Sequence, residues 1–281
     1  MGLVHEHQSF FIKGEKRMII EKYNLWETIP GMHEEIPQIT AYIPEYTKKN
    51  GAVVIYPGGG YRARAPHEGK GYAEFLATNG YCAFVVEYRV SPHRFPAPLL
   101  DARRGVKFAR FYADKYGYDK NKIAVMGSSA GGHLAAFTST FMEEIPVENS
   151  DDIDREDFVP NAQILCYPVI DLHTPIAHEG SGMNLLGDKY DSDYEKYIPR
   201  LLVSDKTPQA FIWHTFADDC VDVRNSLHYA SAMKAQGIPV EMHIFPDGGH
   251  GKGRSLADDK VSAHIAQWND LLLNWLEYIE F

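Results

Sequence analysis

The stretch Ala124–Ala136, AVMGSSAGGHLAA, decides how the rest of the chain is read. An apolar run, IAVMG from Ile123, ends in two serines set among glycines and then continues in small, helix-favouring residues. Gly127-Ser128-Ser129-Ala130-Gly131 fits G-x-S-x-G with Ser129 at its centre. In a nucleophile elbow the central serine occupies a strained turn from strand to helix, and its neighbours are small because side chains there would meet backbone. Five residues alone are a weak signal. The strand before them and the helix after them supply the context, and together they predict Ser129 as a nucleophile and Ser128 as a locally packed or hydrogen-bonded neighbour.

Further short apolar runs flank the elbow: AVVIYP from Ala52, CAFVVEY from Cys82, AQILCYP from Ala162, AFIWHT from Ala210 and VEMHIFP from Val240. Each, like IAVMG, reads as a strand buried on both faces. Helical stripes lie between and after them. Leu99, Ala102, Val106, Ala109 and Ala113 share one face, as do Val261, Ile265, Trp268, Leu272, Trp275 and Ile279 near the end of the chain. This alternation predicts an α/β fold, a mostly parallel sheet of about eight strands flanked by helices. Residues 1–50 read differently. RMIIEKYNLW and QITAYIP alternate or carry proline, so they are expected to extend the sheet as antiparallel edge strands. Residues 173–208 separate two strands by more than a crossover helix needs and are expected to form a lid or insertion. Its Tyr190, Tyr194 and Tyr197 either stack on sugar rings or pack internally. With no internal repeat or linker, residues 1–281 read as one domain.

Composition narrows the function. Of 281 residues, 44% are apolar and 23% charged, which suits a sizeable core and opposes disorder. The formal net charge of −10, without a Lys/Arg cluster, argues against nucleic acid or an anionic membrane as partner. No apolar run is long enough to span a bilayer, and MGLVHEHQSFFIKGEKRM lacks the marks of a secretory leader. Cys82, Cys166 and Cys220 are odd in number and widely spaced, so they read as reduced thiols of a cytoplasmic protein. The acidic stretch ENSDDIDRED from Glu148 lacks calcium-loop spacing and reads as a solvated loop or helix start. His5, His7, His33 and His214 form no metal-ligand spacing, so neither a metal nor another cofactor is expected. His133, on the helix after the elbow, reads as a hydrogen-bonded packing residue.

A serine hydroxyl is a poor nucleophile until a base takes its proton, and that base is oriented by a carboxylate. On a sheet of this kind the partners follow the serine in the order acid, then histidine. Asp218 and Asp219, in ADDCV after AFIWHT, stand beyond the C-terminal end of a strand, where open α/β sheets place their sites. Either acid could instead cap the helix that begins near Val223. His250, in DGGHG after VEMHIFP, sits on a glycine turn and is the candidate base. The glycines of Tyr56–Tyr61, YPGGGY, follow AVVIYP, where HGGG-type loops offer backbone N–H groups to an oxyanion. A phosphate-binding reading is weaker, because G-x-G-x-x-G and the P-loop lysine are both absent.

Taken together, YPGGGY, EYRVSPHRFPAPLLDARRGVKF from Glu87, IAVMGSSAGGHLAA, HTFADDCVDVRNSLHYA and MHIFPDGGHG resemble the α/β-hydrolase esterases related to hormone-sensitive lipase. The likeness is strongest to the bacterial acetyl esterase and acetylxylan esterase group, to which HEGSGMNLLG from His178 is also similar. It runs from about Ala52 to Gly251. The resemblance implies Ser129 as nucleophile, His250 as base and Asp218 as orienting acid, because the family's D-x-x-V fits Asp218 with Val221. It also implies an oxyanion hole from the N–H groups of Gly59, Gly60 and Ala130. Pro57 stands where the lipase motif has His, and Asp222 where many relatives have Pro. These departures leave open how the glycine loop is braced and how closely substrate preference follows the group.

The function implied is a serine carboxylesterase that removes short acyl groups, acetyl above all, from acetylxylan, acetylated oligosaccharides or a similar small alcohol through an acyl-enzyme. Two other readings compete. A prolyl-oligopeptidase-like serine peptidase shares fold and triad, but no propeller-sized region precedes the sheet. A non-catalytic ligand-binding hydrolase-fold protein would typically lack a triad member, and here Ser129, Asp218 and His250 are all available. An edge strand near the C-terminus leaves a homo-oligomer open.

Overall fold

The computed structural model describes residues 8–11, 17–30, 36–45, 49–147 and 150–281. Its strands are β1 Gln8–Phe11, β2 Arg17–Asn24, β3 Gln38–Pro44, β4 Ala52–Tyr56, β5 Cys82–Val86, β6 Ile123–Ser128, β7 Ala162–Cys166, β8 Ala210–Thr215 and β9 Val240–Phe245. They form one nine-stranded sheet in the order β1-β2-β3-β5-β4-β6-β7-β8-β9. From β5 to β9 neighbours run parallel, and β1, β2 and β3 join the β5 side antiparallel. The mostly parallel α/β fold is therefore as expected, and β2 and β3, with β1, which the sequence patterning did not single out, lie antiparallel at its β5 side.

The helices are α1 Pro66–Thr78, α2 Ala97–Phe111, α3 Ala113–Tyr116, α4 Ala130–Thr140, α5 Glu179–Leu186, α6 Tyr190–Asp193, α7 Arg224–Ala235, α8 Lys260–Ile265 and α9 Trp268–Tyr278. Residues of α2, α4 and α7 share one apolar core with one face of the sheet, and residues of α1, α8 and α9 share a second with the other. This is why β4 to β8 are buried along their whole lengths: a strand covered on both faces must be apolar throughout. β9 departs from the expectation. Only Phe245 of its six residues is buried, because β9 is the last strand and has a neighbour on one side only. The C-terminal stripe is also interrupted. The chain breaks at Ala266 and Gln267 between α8 and α9, leaving Val261 exposed and Ile279 partly buried, while Trp268 stacks on Trp213 with ring centroids 4.9 Å apart.

Strand order positions the site. From β4 the chain crosses by α1 to β5 on one side, then returns by α2 and α3 to β6 on the other. Connections that leave a strand in opposite directions open a crevice at its C-terminal end. The glycine loop after β4 and the turn after β6 face one another there.

Beyond β5, a buried ion pair anchors the start of α2. Arg89 and Asp101 both have wholly buried side chains. Arg89 donates from its backbone N–H (2.8 Å) and Nε (2.9 Å) to Asp101 Oδ2, and from Nη2 to Oδ1 (2.9 Å), while Trp26 Nε1 also donates to Oδ1 (2.7 Å). The EYR and LLDARRG segments thus owe their residue types partly to a structural lock. The acidic stretch from Glu148 is a helix start in its described part, with Asp152, Arg155 and Asp157 exposed and two of its acids turned to the protein. Asp151 caps the turn Asp152–Arg155, and both Asp151 and Asp154 pair with buried Arg104. Glu148 and Asn149, like His5, His7 and His33, lie outside the described residues. Among the described residues no helix is long and apolar enough to cross a membrane.

Removing one partner of a buried ion pair strands the other charge. Asp101→Ala is therefore expected to lower unfolding free energy by about 3–5 kcal/mol, measured by urea denaturation; a loss under about 1 kcal/mol would contradict the lock.

Candidate active site

Ser129 is the single residue between β6 and α4. Its φ of 54° and ψ of −121° place it where a side chain is strained. Its N–H donates to the Cys166 carbonyl (3.0 Å), and its own carbonyl accepts from the N–H groups of His133 and Val169 (each 3.0 Å). Strand and helix meet so closely that a Cβ on Gly127 would lie 2.0 Å from the Gly131 carbonyl oxygen, and one on Gly131 would lie 2.0 Å from that of Tyr56. Backbone crowding is the physical reason for both glycines of G-x-S-x-G. Ser128 is wholly buried, with its Oγ 2.9 Å from the Tyr72 hydroxyl, the local role expected of it.

The structure brings Ser129, His250 and Asp218 together. His250 Nε2 is 2.8 Å from Ser129 Oγ, and its Nδ1 is 2.7 Å from Asp218 Oδ2. With Nδ1–H donating to the carboxylate, Nε2 is left to accept from the serine hydroxyl. Asp218 follows β8 and is buried, and its Oδ1 accepts from the N–H groups of Cys220 (3.0 Å) and Val221 (2.9 Å). Burial works to raise its pKa, but hydrogen bonds from His214, His250 and the Val221 N–H outweigh it and hold the carboxyl well below the usual carboxylate range. It stays ionised opposite His250.

Asp219 is exposed and stands apart from this line. The acid at the start of α7 is Asp222, whose Oδ1 accepts from the Arg224 N–H (2.8 Å). His214 is a supporting residue that sequence patterning missed: its Nε2 is 3.3 Å from Asp218 Oδ2 and 2.9 Å from the Val221 carbonyl oxygen. A buried histidine four residues before the acid, on the same strand-and-turn segment, was the available signal. Thr215 Oγ1 donates to the Gly248 carbonyl (2.9 Å) and ties the loop of His250 to the end of β8.

Ser129 and His250 border an open cleft of about 520 Å³ whose walls include Gly59, Gly60, His67, His178, Asn184 and Cys220, while Asp218 is buried. None of the N–H groups of Gly59, Gly60 and Ala130 donates to an acceptor among the described residues. The bracing of the glycine loop, with Pro57 in place of the lipase histidine, comes from Tyr88 and Glu68. Tyr88 donates its hydroxyl to the Pro57 carbonyl (2.6 Å), and Glu68 Oε2 accepts from the Gly58 N–H (2.8 Å). Glu68 is buried although it carries a carboxyl, and its Oε1 accepts from the Tyr167 hydroxyl (2.7 Å). That hydroxyl accepts from the Gly253 N–H (2.9 Å) and lies 3.3 Å from the Tyr72 hydroxyl, which reaches Ser128. One carboxyl therefore links the glycine loop, the elbow and the loop carrying His250. In sequence, Glu68 is indistinguishable from an acid in the first turn of a helix.

The 173–208 stretch is built of short helices that pack beside this cleft. Asn184 Nδ2 donates to the Gly60 carbonyl (2.8 Å). His133 Nε2 donates to the Tyr197 carbonyl (2.8 Å) while its Nδ1 accepts from the Tyr61 hydroxyl (2.7 Å). Burial pushes the His133 pKa down to about 4, so it is a neutral strut between the glycine loop and this stretch, as its packing role predicted. The three tyrosines pack internally. Tyr190 donates to the Leu172 carbonyl (2.7 Å), Tyr194 stacks on His173 at 4.1 Å, and Tyr197 lies 4.8 Å from the Phe95 ring. Cys82 and Cys166 are buried and form no disulfide, whereas the Cys220 thiol is exposed at the cleft.

Glu68→Ala leaves the Gly58 N–H and the Tyr167 hydroxyl without their acceptor. The expected loss is about 1–3 kcal/mol of unfolding free energy, with Glu68→Gln losing clearly less because an acceptor remains. Equal losses in denaturant titrations would show that space filling, not hydrogen bonding, is what Glu68 supplies.

Known proteins share this arrangement of strands and loops. The BD-FAE family profile matches residues 39–233, a span that includes the glycine loop, the elbow and Asp218. The chain is 31% identical over 227 residues to an acetylxylan esterase of Xylanibacter ruminicola, covering 77% of this chain and 44% of that protein. It is 31% identical over 258 residues to endo-1,4-beta-xylanase B of Butyrivibrio fibrisolvens, covering 88% of this chain and 40% of that protein. The chain thus spans less than half the length of either relative. Among solved structures, an acetyl ester-xyloside bifunctional hydrolase from Caldicellulosiruptor lactoaceticus superposes with a TM-score of 0.84 at 39% identity, covering 92% of this chain and 96% of that one. On sequence and on architecture alike, the chain belongs to the BD-FAE family, within the α/β-hydrolase esterase group.

Proposed function

We propose that this chain is a serine carboxylesterase that removes acetyl and other short acyl groups from carbohydrate, acetylated xylo-oligosaccharides in particular. The observation that carries the reading is the hydrogen-bonded line from Ser129 Oγ through His250 to Asp218, with links of 2.8 and 2.7 Å. Ser129 Oγ attacks the ester carbonyl carbon as its proton passes to His250 Nε2. The carbonyl oxygen becomes an oxyanion and accepts from the N–H groups of Gly59, Gly60 and Ala130, whose donors are free to meet it. Asp218 remains ionised and steadies the imidazolium. Collapse of the intermediate breaks the bond to the alcohol oxygen, which takes the proton from His250. Water then attacks the acyl-enzyme with His250 again as base, releasing the carboxylic acid and restoring Ser129. The chemistry calls for no cofactor.

The sugar assignment draws on the relatives, one named an acetylxylan esterase and one an acetyl ester-xyloside hydrolase. A reducing cytoplasmic location fits three cysteines that form no disulfide.

Initial rates with phenyl acetate and acetylated xylobiose test the reading. Ser129→Ala is expected to lower kcat/KM by about a thousandfold or more on both esters. Asp218→Asn should lower it by at least about a hundredfold and Asp219→Asn by less than about threefold. Retained activity in Ser129→Ala would remove the nucleophile assignment; loss confined to Asp219→Asn would move the acid by one residue.

A further inference from the structure

We propose that His178 recognises the alcohol half of the ester, donating a hydrogen bond from Nε2 to a hydroxyl or ring oxygen of a sugar. The inference rests on the serine-esterase reading of the same cleft and adds a specificity contact to it.

His178 immediately precedes α5 and caps it. The Ser181 N–H donates to His178 Nδ1 at 3.2 Å, and Ser181 Oγ lies 2.8 Å from the same nitrogen. A ring nitrogen that accepts from a backbone N–H carries a lone pair, so the single proton of the neutral ring sits on Nε2. The helix cap therefore fixes the tautomer. Burial, together with the neighbouring His250, keeps the ring below the usual histidine range, which favours that neutral form.

Nε2 has no hydrogen-bond partner among the described residues. The ring lies beside the glycine loop: Cε1, which is bonded to both ring nitrogens, lies 3.9 Å from where a Cβ on Gly60 would stand. His178 shares the cleft with Ser129, His250, Gly59 and Gly60. On the same helix, Asn184 holds the Gly60 carbonyl at 2.8 Å, so the free donor is fixed relative to the loop assigned to the oxyanion.

The chemistry of an acetyl ester then names the acceptor. An acetyl group has no oxygen beyond its carbonyl, whose developing charge is met by the backbone N–H groups. The bridging ester oxygen is common to all esters and takes its proton from His250, so a further oxygen for Nε2–H must come from the rest of the alcohol, where sugars present several and phenol presents none. A donor prepared for such an oxygen penalises substrates that leave it unpaired.

His178→Asn is the informative variant, because Asn is a favoured N-cap residue that keeps an acceptor for the Ser181 N–H yet is shorter than the imidazole. The readout is the ratio of kcat/KM on acetylated xylobiose to kcat/KM on phenyl acetate. His178→Asn is expected to lower that ratio about three- to tenfold, mainly through KM for the sugar ester, and His178→Gln, with its longer amide donor, to recover part of it. An unchanged ratio in His178→Asn overturns the inference, including the case in which both esters slow equally. Inactivity of the wild type on both esters overturns the serine-esterase reading instead and takes this contact with it.

Discussion

The backbone at Ser129 is the constraint to which the rest of the site conforms. A strand and a helix meet at one residue held at a φ of 54°, and the approach is so close that neither Gly127 nor Gly131 has room for a Cβ. Strain of this sort persists only where surrounding structure over-determines it. Here Ser129 is fixed through both of its backbone polar groups: its N–H to β7, its carbonyl to the first turn of α4 and to Val169. The serine side chain then stands at the C-terminal edge of the parallel strands, and β8 and β9 deliver Asp218 and His250 to it on loops joined by the Thr215 to Gly248 hydrogen bond.

Buried polar groups do the positioning around that turn. Glu68 and Tyr167 tie three loops that are far apart in sequence; His133 spans from Tyr61 to Tyr197; His214 supports Asp218 from behind. Each group is costly to bury alone and acceptable only because its hydrogen bonds are made. The cleft is consequently framed by groups that lose their partners if any one loop shifts. This links stability to function: the same hydrogen bonds that satisfy buried atoms hold the Gly59 and Gly60 region open to a ligand.

The sheet and the candidate site were legible in sequence to different depths. Apolar runs bounded by turn residues mark β4 to β8 because strands covered on both faces have no polar face to confuse the pattern. VEMHIFP reads the same way yet forms half-buried β9, since local pattern carries no information about which strand ends a sheet. The elbow, the glycine loop, Asp218 and His250 were legible because backbone crowding and triad chemistry restrict residue types at fixed places. Glu68 and the Arg89–Asp101 pair were not, because Glu68 meets Tyr167 far along the chain and the ion pair depends on burial set by the whole fold; His214 and His178 have partners close in sequence, but their places beside Asp218 and in the cleft follow only from the fold. The tyrosines of the 173–208 stretch show the converse: their composition suits sugar stacking, and the structure packs all three against the protein.

Covalent capture of the nucleophile is the most direct test of the proposed chemistry. A fluorophosphonate traps an activated serine as a stable adduct, and peptide mass spectrometry locates it. Serine activation by His250 predicts one adduct per chain, on Ser129, and little or none in His250→Ala under the same conditions. An adduct on another residue, or labelling of Ser129 that is unchanged without His250, would contradict a triad built on this elbow.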